Sequence, residues 1–212
     1  MTKALPPRRR YSSERRREQA GQTRALVLAA AKELFVERGY QGASIAAIAG
    51  QARVSPETVY SHFGSKRALL GEVVRRAVRG DETVPVPEQA GPRAIAAATD
   101  QREQLRIFAA DIVPRIERAA PLVAVVAGAA RSDPELAELL TTLHSDRLRN
   151  LGTLTRALAA NGPLRLGEEE ATETVWALTS PELHQLLVRL RGWSTRRYRD
   201  WLAASLEELL LP

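Results

Sequence analysis

Between Ser55 and Lys66 the chain gathers Ser55, Pro56, Glu57, Thr58, Tyr60, Ser61, His62 and Lys66. These side chains carry hydroxyl, carboxylate, phenol, imidazole and ammonium groups, a set suited to hydrogen-bonded recognition. Glu57 can accept from the amino group of a cytosine, and the Thr58 methyl and Pro56 methylenes can meet a thymine methyl. The plainer role for Glu57 is an acid favoured by the dipole at a helix start. Tyr60 and His62, taken singly, are as readily part-buried core residues with a polar handle. Lys66 and Arg67 are more telling, because cations in the first turn of a helix oppose its dipole at a cost of about 0.3–1 kcal/mol each. A phosphate held by free amide groups and by Lys66 would offset that cost. Without it Lys66 is a solvated surface charge.

Chemistry of the bond-breaking kind finds little support. There is no cysteine, which removes disulfides, thiolate metal sites and cysteine nucleophiles, and His62, His144 and His184 lie far apart in the chain. No P-loop, dinucleotide glycine fingerprint, serine nucleophile motif or carboxylate pair with an accompanying histidine is present. The expectation is a protein that is not an enzyme and needs no metal or cofactor. The longest apolar run, Leu122 to Ala130, is too short to span a bilayer, so a cytoplasmic location is expected.

The recognition residues need elements to present them. From Gln22, Val27, Ala31, Leu34 and Phe35 recur with helical spacing, and Gly39 follows as a stop. Ser44 stands where an N-cap belongs, ahead of Ile45, Ile48, Ala49 and Ala52, which suit a helix of about two turns. Arg53 and Val54 must turn the chain, because Ser55-Pro56-Glu57 begins another helix with a cap, a proline at its first position and an acid. Val54 and Val59 point inward, leaving Pro56, Glu57, Thr58 and Ser61 free to face a groove, and Phe63 reads as core. Ser65 caps a further helix through Leu69, Val73 and Ala77 toward Gly80. Two short helices joined by a tight turn and flanked by packing helices make a helix-turn-helix.

Charge divides the chain in the same place. Residues 1–80 hold 16 Lys/Arg against 6 Asp/Glu, a net +10, whereas residues 81–212 hold 15 against 19, a net −4. A compact basic module is the electrostatic footprint expected for a phosphate backbone, although charge alone suits RNA or an anionic membrane surface equally. The first twenty residues, with Arg8-Arg9-Arg10 and Arg15-Arg16-Arg17, lack apolar periodicity and read as a disordered or partly helical basic arm. Such an arm either reaches along phosphates or is a solvated tail. Asp81 to Pro92, rich in proline, reads as a domain boundary. The expected organisation is an arm at 1–20, a DNA-binding domain at 21–80 and a helical domain at 93–212.

Val27 to Leu70, with Ala30-Ala31, Leu34-Phe35, Gly39-Tyr40, Ser44-Ile45, Ile48-Ala49, Val54-Ser55, Thr58-Val59-Tyr60, His62-Phe63 and Ser65-Lys66, closely resembles the TetR family of bacterial regulators. The resemblance implies an all-α fold: a helix-turn-helix domain followed by a helical bundle for effector binding and dimerisation. It implies a repressor that binds a palindromic double-stranded operator as a homodimer and is released by a small effector. It also implies DNA contacts by Ser44, Ser55, Pro56, Glu57, Thr58, Tyr60, Ser61, His62 and Lys66, with Tyr60 and His62 on phosphates. One departure stands out: where the family usually has glycine in the turn, this chain has Arg53. If that position needs positive φ, the substitution costs about 1 kcal/mol. The alternative function is an architectural DNA-binding protein without sequence preference, which the basic arm would suit.

Beyond Pro92 no period-two pattern is convincing. Asp100 and Glu103 resemble a capping box, Pro121 is expected to start a separate short helix, and Asp133-Pro134-Glu135 begins a long one ending at Asn161-Gly162-Pro163. Glu168-Glu169-Glu170, Ser180-Pro181-Glu182 and Ser194 mark later helix starts. A pocket for an apolar effector is expected to be lined by Phe108, Ile112, His144, Leu148 and Trp176, though a histidine on an apolar face is more often plain core. Leu183, Leu187, Trp193, Trp201, Leu202 and Leu206 are expected at the dimer contact, where ordinary core packing explains a tryptophan equally well.

Overall fold

The computed structural model describes residues 8–80 and 84–212, with side chains from residue 18 onward. Every regular element among them is helical, with no strand. The helices are α1 (Arg8–Gly42), α2 (Ile45–Ala52), α3 (Pro56–Phe63), α4 (Lys66–Arg79), α5 (Ala90–Ala97), α6 (Gln101–Ala130), α7 (Pro134–Asn161), α8 (Glu168–Leu178), α9 (Pro181–His184, continued as a π-helix over Gln185–Leu190) and α10 (Thr195–Leu210). Residues 1–7 of the basic arm and 81–83 of the proline segment lie outside the described residues, as do the side chains of 8–17. Two compact units divide at Val73 and Val74, within α4.

The caps read from the sequence are in place. Ser44 Oγ accepts from the Ala47 amide at 3.1 Å, Ser55 Oγ from Thr58 at 3.3 Å, and Ser65 Oγ from Ala68 at 3.0 Å. Asp100, Asp133, Ser180 and Ser194 cap α6, α7, α9 and α10 in the same way. Each satisfies an amide that the helix start leaves without an intrahelical partner. Gly39 interrupts α1 at φ 68° and ψ 179°, a conformation that costs glycine little and sends the chain off after Phe35.

In the first unit, Val27, Ala31, Leu34 and Phe35 of α1 are buried, as are Ile48 of α2, Val59 of α3 and Leu69 of α4. Fully burying a side chain such as Ile48 contributes about 1.5–3 kcal/mol, enough to hold two-turn helices that would not form alone. In the second unit one core joins Leu105, Phe108 and Val113 of α6 to Leu154 and Leu158 of α7, Val175 of α8, and Tyr198, Leu202 and Leu206 of α10.

One sequence expectation is corrected. Pro121 starts no new helix: α6 runs unbroken through Pro114 and Pro121. Residues on both sides of Pro121, among them Ile116, Ala120, Leu122 and Val126, are buried, and that packing outweighs the amide each proline removes. After the proline-rich stretch begins, a 3-10 turn over Val86–Glu88 leads into α5. The buried Gln89 amide donates to the carbonyls of Arg79 and Val84 at 3.1 and 3.2 Å, tying the stretch to the end of α4. Arg115 and Arg118 of α6 donate to the Val78 and Ala77 carbonyls at 3.1 and 2.9 Å, so cations meet the negative end of the α4 dipole.

Candidate nucleic-acid interface

The turn between α2 and α3 closes around a backbone that side chains rarely adopt. Arg53 has φ 57° and ψ 43°, and it is the one non-glycine residue with positive φ among the described residues. The Val54 amide donates to the Ala49 carbonyl at 3.0 Å and the Arg53 amide to Gly50 at 3.2 Å, a helix end built for a left-handed residue. The turn therefore keeps the shape that glycine would favour, and Arg53 carries the strain with its side chain exposed.

Helix α3 buries Val59 and Phe63, and this fixes which face it turns outward. Glu57, Tyr60 and Ser61 are exposed at helical spacing, Tyr60 by 52%. Pro56, Thr58 and His62 are half-buried beside them. Thr58 Oγ1 lies 3.2 Å from the Ser55 hydroxyl, so the cap also orients the threonine. The Ser55 hydroxyl, followed by its own backbone amide, holds the Glu57 carboxyl below its ordinary pKa, keeping it an acceptor. Ser44 is exposed at the start of α2.

Lys66 is not the uncompensated cation that its position suggested. Its ammonium donates to the Tyr40 carbonyl at 2.8 Å and lies 4.3 Å from the centre of the Tyr40 ring. Partial burial lowers its pKa. The dipole cost at the start of α4 is thus answered inside the protein, and an anion is not needed to explain the placement.

A residue that the sequence reading missed is Arg24. It donates to the His62 carbonyl at 3.3 Å, pairs with Glu72 at 3.2 Å and covers the Phe63 ring at 4.6 Å. One side chain of α1 thereby sets the end of α3 against α4. Its partners lie 38 residues or more away, and no local pattern announces them.

In the second unit, most of the residues expected to line a pocket belong to one packed cluster. Phe108 is in the core, Ile112 and Trp176 pack against it, and Leu148 is 37% exposed. His144 meets Trp176 edge-on at 5.6 Å, and burial lowers its pKa against the opposing pull of Glu182. Arg147, unremarked in the sequence, stacks 4.6 Å over the Trp176 ring. Its Nη1 donates to the Trp176 carbonyl at 2.8 Å and to Thr179 Oγ1 at 3.2 Å. Burial brings its pKa down to about 10, with Glu182 acting the other way, so the guanidinium stays charged at neutral pH.

Of the residues expected at a dimer contact, Leu202 and Leu206 are fully buried within the protomer. Leu183, Leu187, Trp193 and Trp201 are half-buried, with the two indoles edge-on at 5.8 Å. The apolar side chains most open on these helices are Leu186, Leu190 and Leu209, exposed by 51%, 76% and 45%. Leu186 and Leu190 are one helical turn apart and border an open cavity of about 780 Å³, lined also by Glu117, Pro121, Glu182 and His184. No helix of the described residues is long and apolar enough to cross a membrane, and no group of three His, Asp or Glu among them is placed to hold a metal ion.

Residues 27–73 match the family model for bacterial regulatory proteins, tetR family. The HTH-type transcriptional activator FasR of Mycolicibacterium smegmatis is 41% identical over 83 residues, which is 39% of this chain and 35% of that protein. The chain thus spans about a third of the length of that curated relative. A TetR-family transcriptional regulator from Mesorhizobium loti superposes with a TM-score of 0.69 at 21% identity, covering 89% of this chain and 95% of the other. A transcriptional regulator from Saccharomonospora viridis, solved in complex with choline, gives 0.66 at 22% identity, covering 91% and 99%. At those identities the two structures speak for the fold.

Proposed function

We propose that the chain is a DNA-binding transcriptional regulator of the TetR family, a cytoplasmic repressor that binds a palindromic operator as a homodimer and leaves it when a small effector occupies the C-terminal bundle. The observation that carries the reading is the outward face of α3, where Glu57, Tyr60 and Ser61 stand exposed while Val59 and Phe63 anchor the helix from behind. Glu57, Thr58 and Pro56 meet base edges, whereas Ser44, Ser55, Tyr60, Ser61, His62 and Lys66 position the helix against the backbone. One eight-residue helix reads too few base pairs to find a site, so two copies related by a two-fold axis are required. The dimer contact is formed by α9 and α10, with Leu186, Leu190 and Leu209 as the apolar side chains left open for it.

The effector shifts the population of dimers away from the arrangement whose recognition helices match the groove repeat of about 34–36 Å. The choline bound to the S. viridis regulator shows that a protein of this fold accepts a small molecule. FasR carries the name of an activator, so the direction of control is tested separately, by transcription from the operator-bearing promoter with and without the protein. Binding is tested by titrating operator and random duplex side by side. A regulator discriminates by about a thousandfold or more, and an architectural protein does not.

A further inference from the structure

At the contact of Arg147 with Trp176 in the second unit, three buried donors meet no acceptor. They are Arg147 Nε, Arg147 Nη2 and Trp176 Nε1. Nε and Nη2 form one edge of the guanidinium, the two parallel N–H groups that grip a carboxylate in bidentate fashion. The opposite side is already used, since Nη1 donates to Trp176 O and Thr179 Oγ1, and the plane is stacked on the indole. The orientation of the open edge is therefore fixed before anything binds to it.

Arg115 shows the same edge filled. Its Nε and Nη2 donate to the two carboxylate oxygens of Asp111 at 2.9 and 2.8 Å. No side chain does this for Arg147. Glu182 influences it electrostatically, yet it is exposed and makes no hydrogen bond to the open edge. A buried donor left without a partner costs about 1–3 kcal/mol, and more when charged. With three donors and no acceptor, the group that completes the cluster must bring oxygens and negative charge.

We propose that the Nε/Nη2 edge of Arg147, with the Trp176 indole N–H, seats the carboxylate of the effector, an amphipathic acid with an apolar body. This rests on the reading of the chain as an effector-controlled regulator and names the chemical class of that effector.

The probes are hexanoate, octanoate, decanoate and phenylacetate, each against its matched alcohol, with acetate as the bare anion. Binding to the full-length protein is followed by calorimetry and by the emission of the tryptophans. At least one acid binds about tenfold more tightly than its alcohol and than acetate, as a charged bidentate contact requires. Arg147→Met removes that preference. Arg147→Lys, which keeps the charge and loses the fork, weakens it, and Glu182→Gln tightens acid binding by removing a like charge. Circular dichroism confirms that each variant folds, and the Lys and Gln variants carry the test if the Met variant does not. Acids that bind no better than alcohols, acetate that binds as well as decanoate, or a preference that survives Arg147→Met would each overturn the assignment. So would the absence of binding by any acid combined with a Glu182→Gln variant as destabilised as Arg147→Met, since the edge would then belong to an internal ion pair. Release of operator by neutral or cationic compounds, with no acid effect, would leave effector control standing and remove only the acid.

Discussion

The Lys66 ammonium and the Tyr40 backbone carbonyl, 2.8 Å apart, join the first turn of α4 to the short part of α1 that follows the Gly39 interruption. The contact gives Lys66 two duties that one substitution separates by its readouts. Lys66→Ala should cost on the order of 1 kcal/mol of stability through the lost charge-assisted hydrogen bond. If the same ammonium also meets a phosphate, the slope of log affinity against log salt falls by about 0.9 per subunit, or roughly 1.8 per dimer. Affinity then drops for every DNA sequence. An unchanged slope with a lowered melting point would leave Lys66 a purely structural tie.

Arg53 holds a left-handed backbone that glycine adopts freely. Arg53→Gly should therefore stabilise the protein by about 1 kcal/mol, read as a rise in the melting temperature. Any phosphate contact of the exposed guanidinium would show in the same variant as a smaller salt slope. A fall in stability would mean that the side chain contributes more than the strain it imposes.

Thr58 is oriented by the Ser55 hydroxyl and lies beside the exposed face of α3. Thr58→Ala should cost on the order of 1 kcal/mol or more at the operator and little on random DNA. Ser55→Ala should lower stability by about 1 kcal/mol, because it removes the cap of α3. Equal losses of Thr58→Ala on both DNAs would move Thr58 from base reading to backbone contact.

Leu190 is the most exposed large apolar side chain on α9. Leu190→Lys should leave the helix content of the protomer intact while shifting the sedimentation of the protein from dimer to monomer. Operator affinity should fall at least about tenfold, since a single recognition helix remains per particle. A dimer as tight as the original would place the contact elsewhere.

His184 is buried at 4% exposure, with neither ring nitrogen hydrogen-bonded. Burial lowers its pKa, with Glu117 opposing and Arg189 reinforcing the shift. A base with a depressed pKa in the fold contributes stability above its ordinary value near 6.5, and that stability is lost as pH falls through the folded value. Stability should thus decline below about pH 6.5, with a slope of up to about 1.4 kcal/mol per pH unit from this one group. His184→Phe should flatten the decline, as measured by urea unfolding at a series of pH values. A parallel decline in the variant would assign it to other groups.

The parts legible in the sequence are those written locally. Ser44, Ser55, Ser65, Asp100 and Asp133 sit two or three residues from the amides they cap, and the spacing of Val59 and Phe63 fixes the outward face of α3. The parts that were not legible join residues distant in the chain: Lys66 to Tyr40, Arg24 to His62 and Glu72, and Arg147 to Trp176 and Thr179. The first-turn position of Lys66 pointed to an anion because the dipole argument sees one helix, whereas its partner, Tyr40, lies in another. Pro121 misled in the same way, since a rule about local backbone does not register packing along both sides of α6.

The central claim is sequence-specific recognition by a two-fold dimer. Selecting bound sites from random double-stranded DNA with the full-length protein tests it most directly. The account predicts an enriched palindrome whose half-sites lie about one helical turn apart, with bases at the half-site centres that change when Glu57 or Thr58 is replaced. Recovery of unrelated sequences, bound as well as the starting pool, would contradict it and leave a basic protein that holds DNA without reading it.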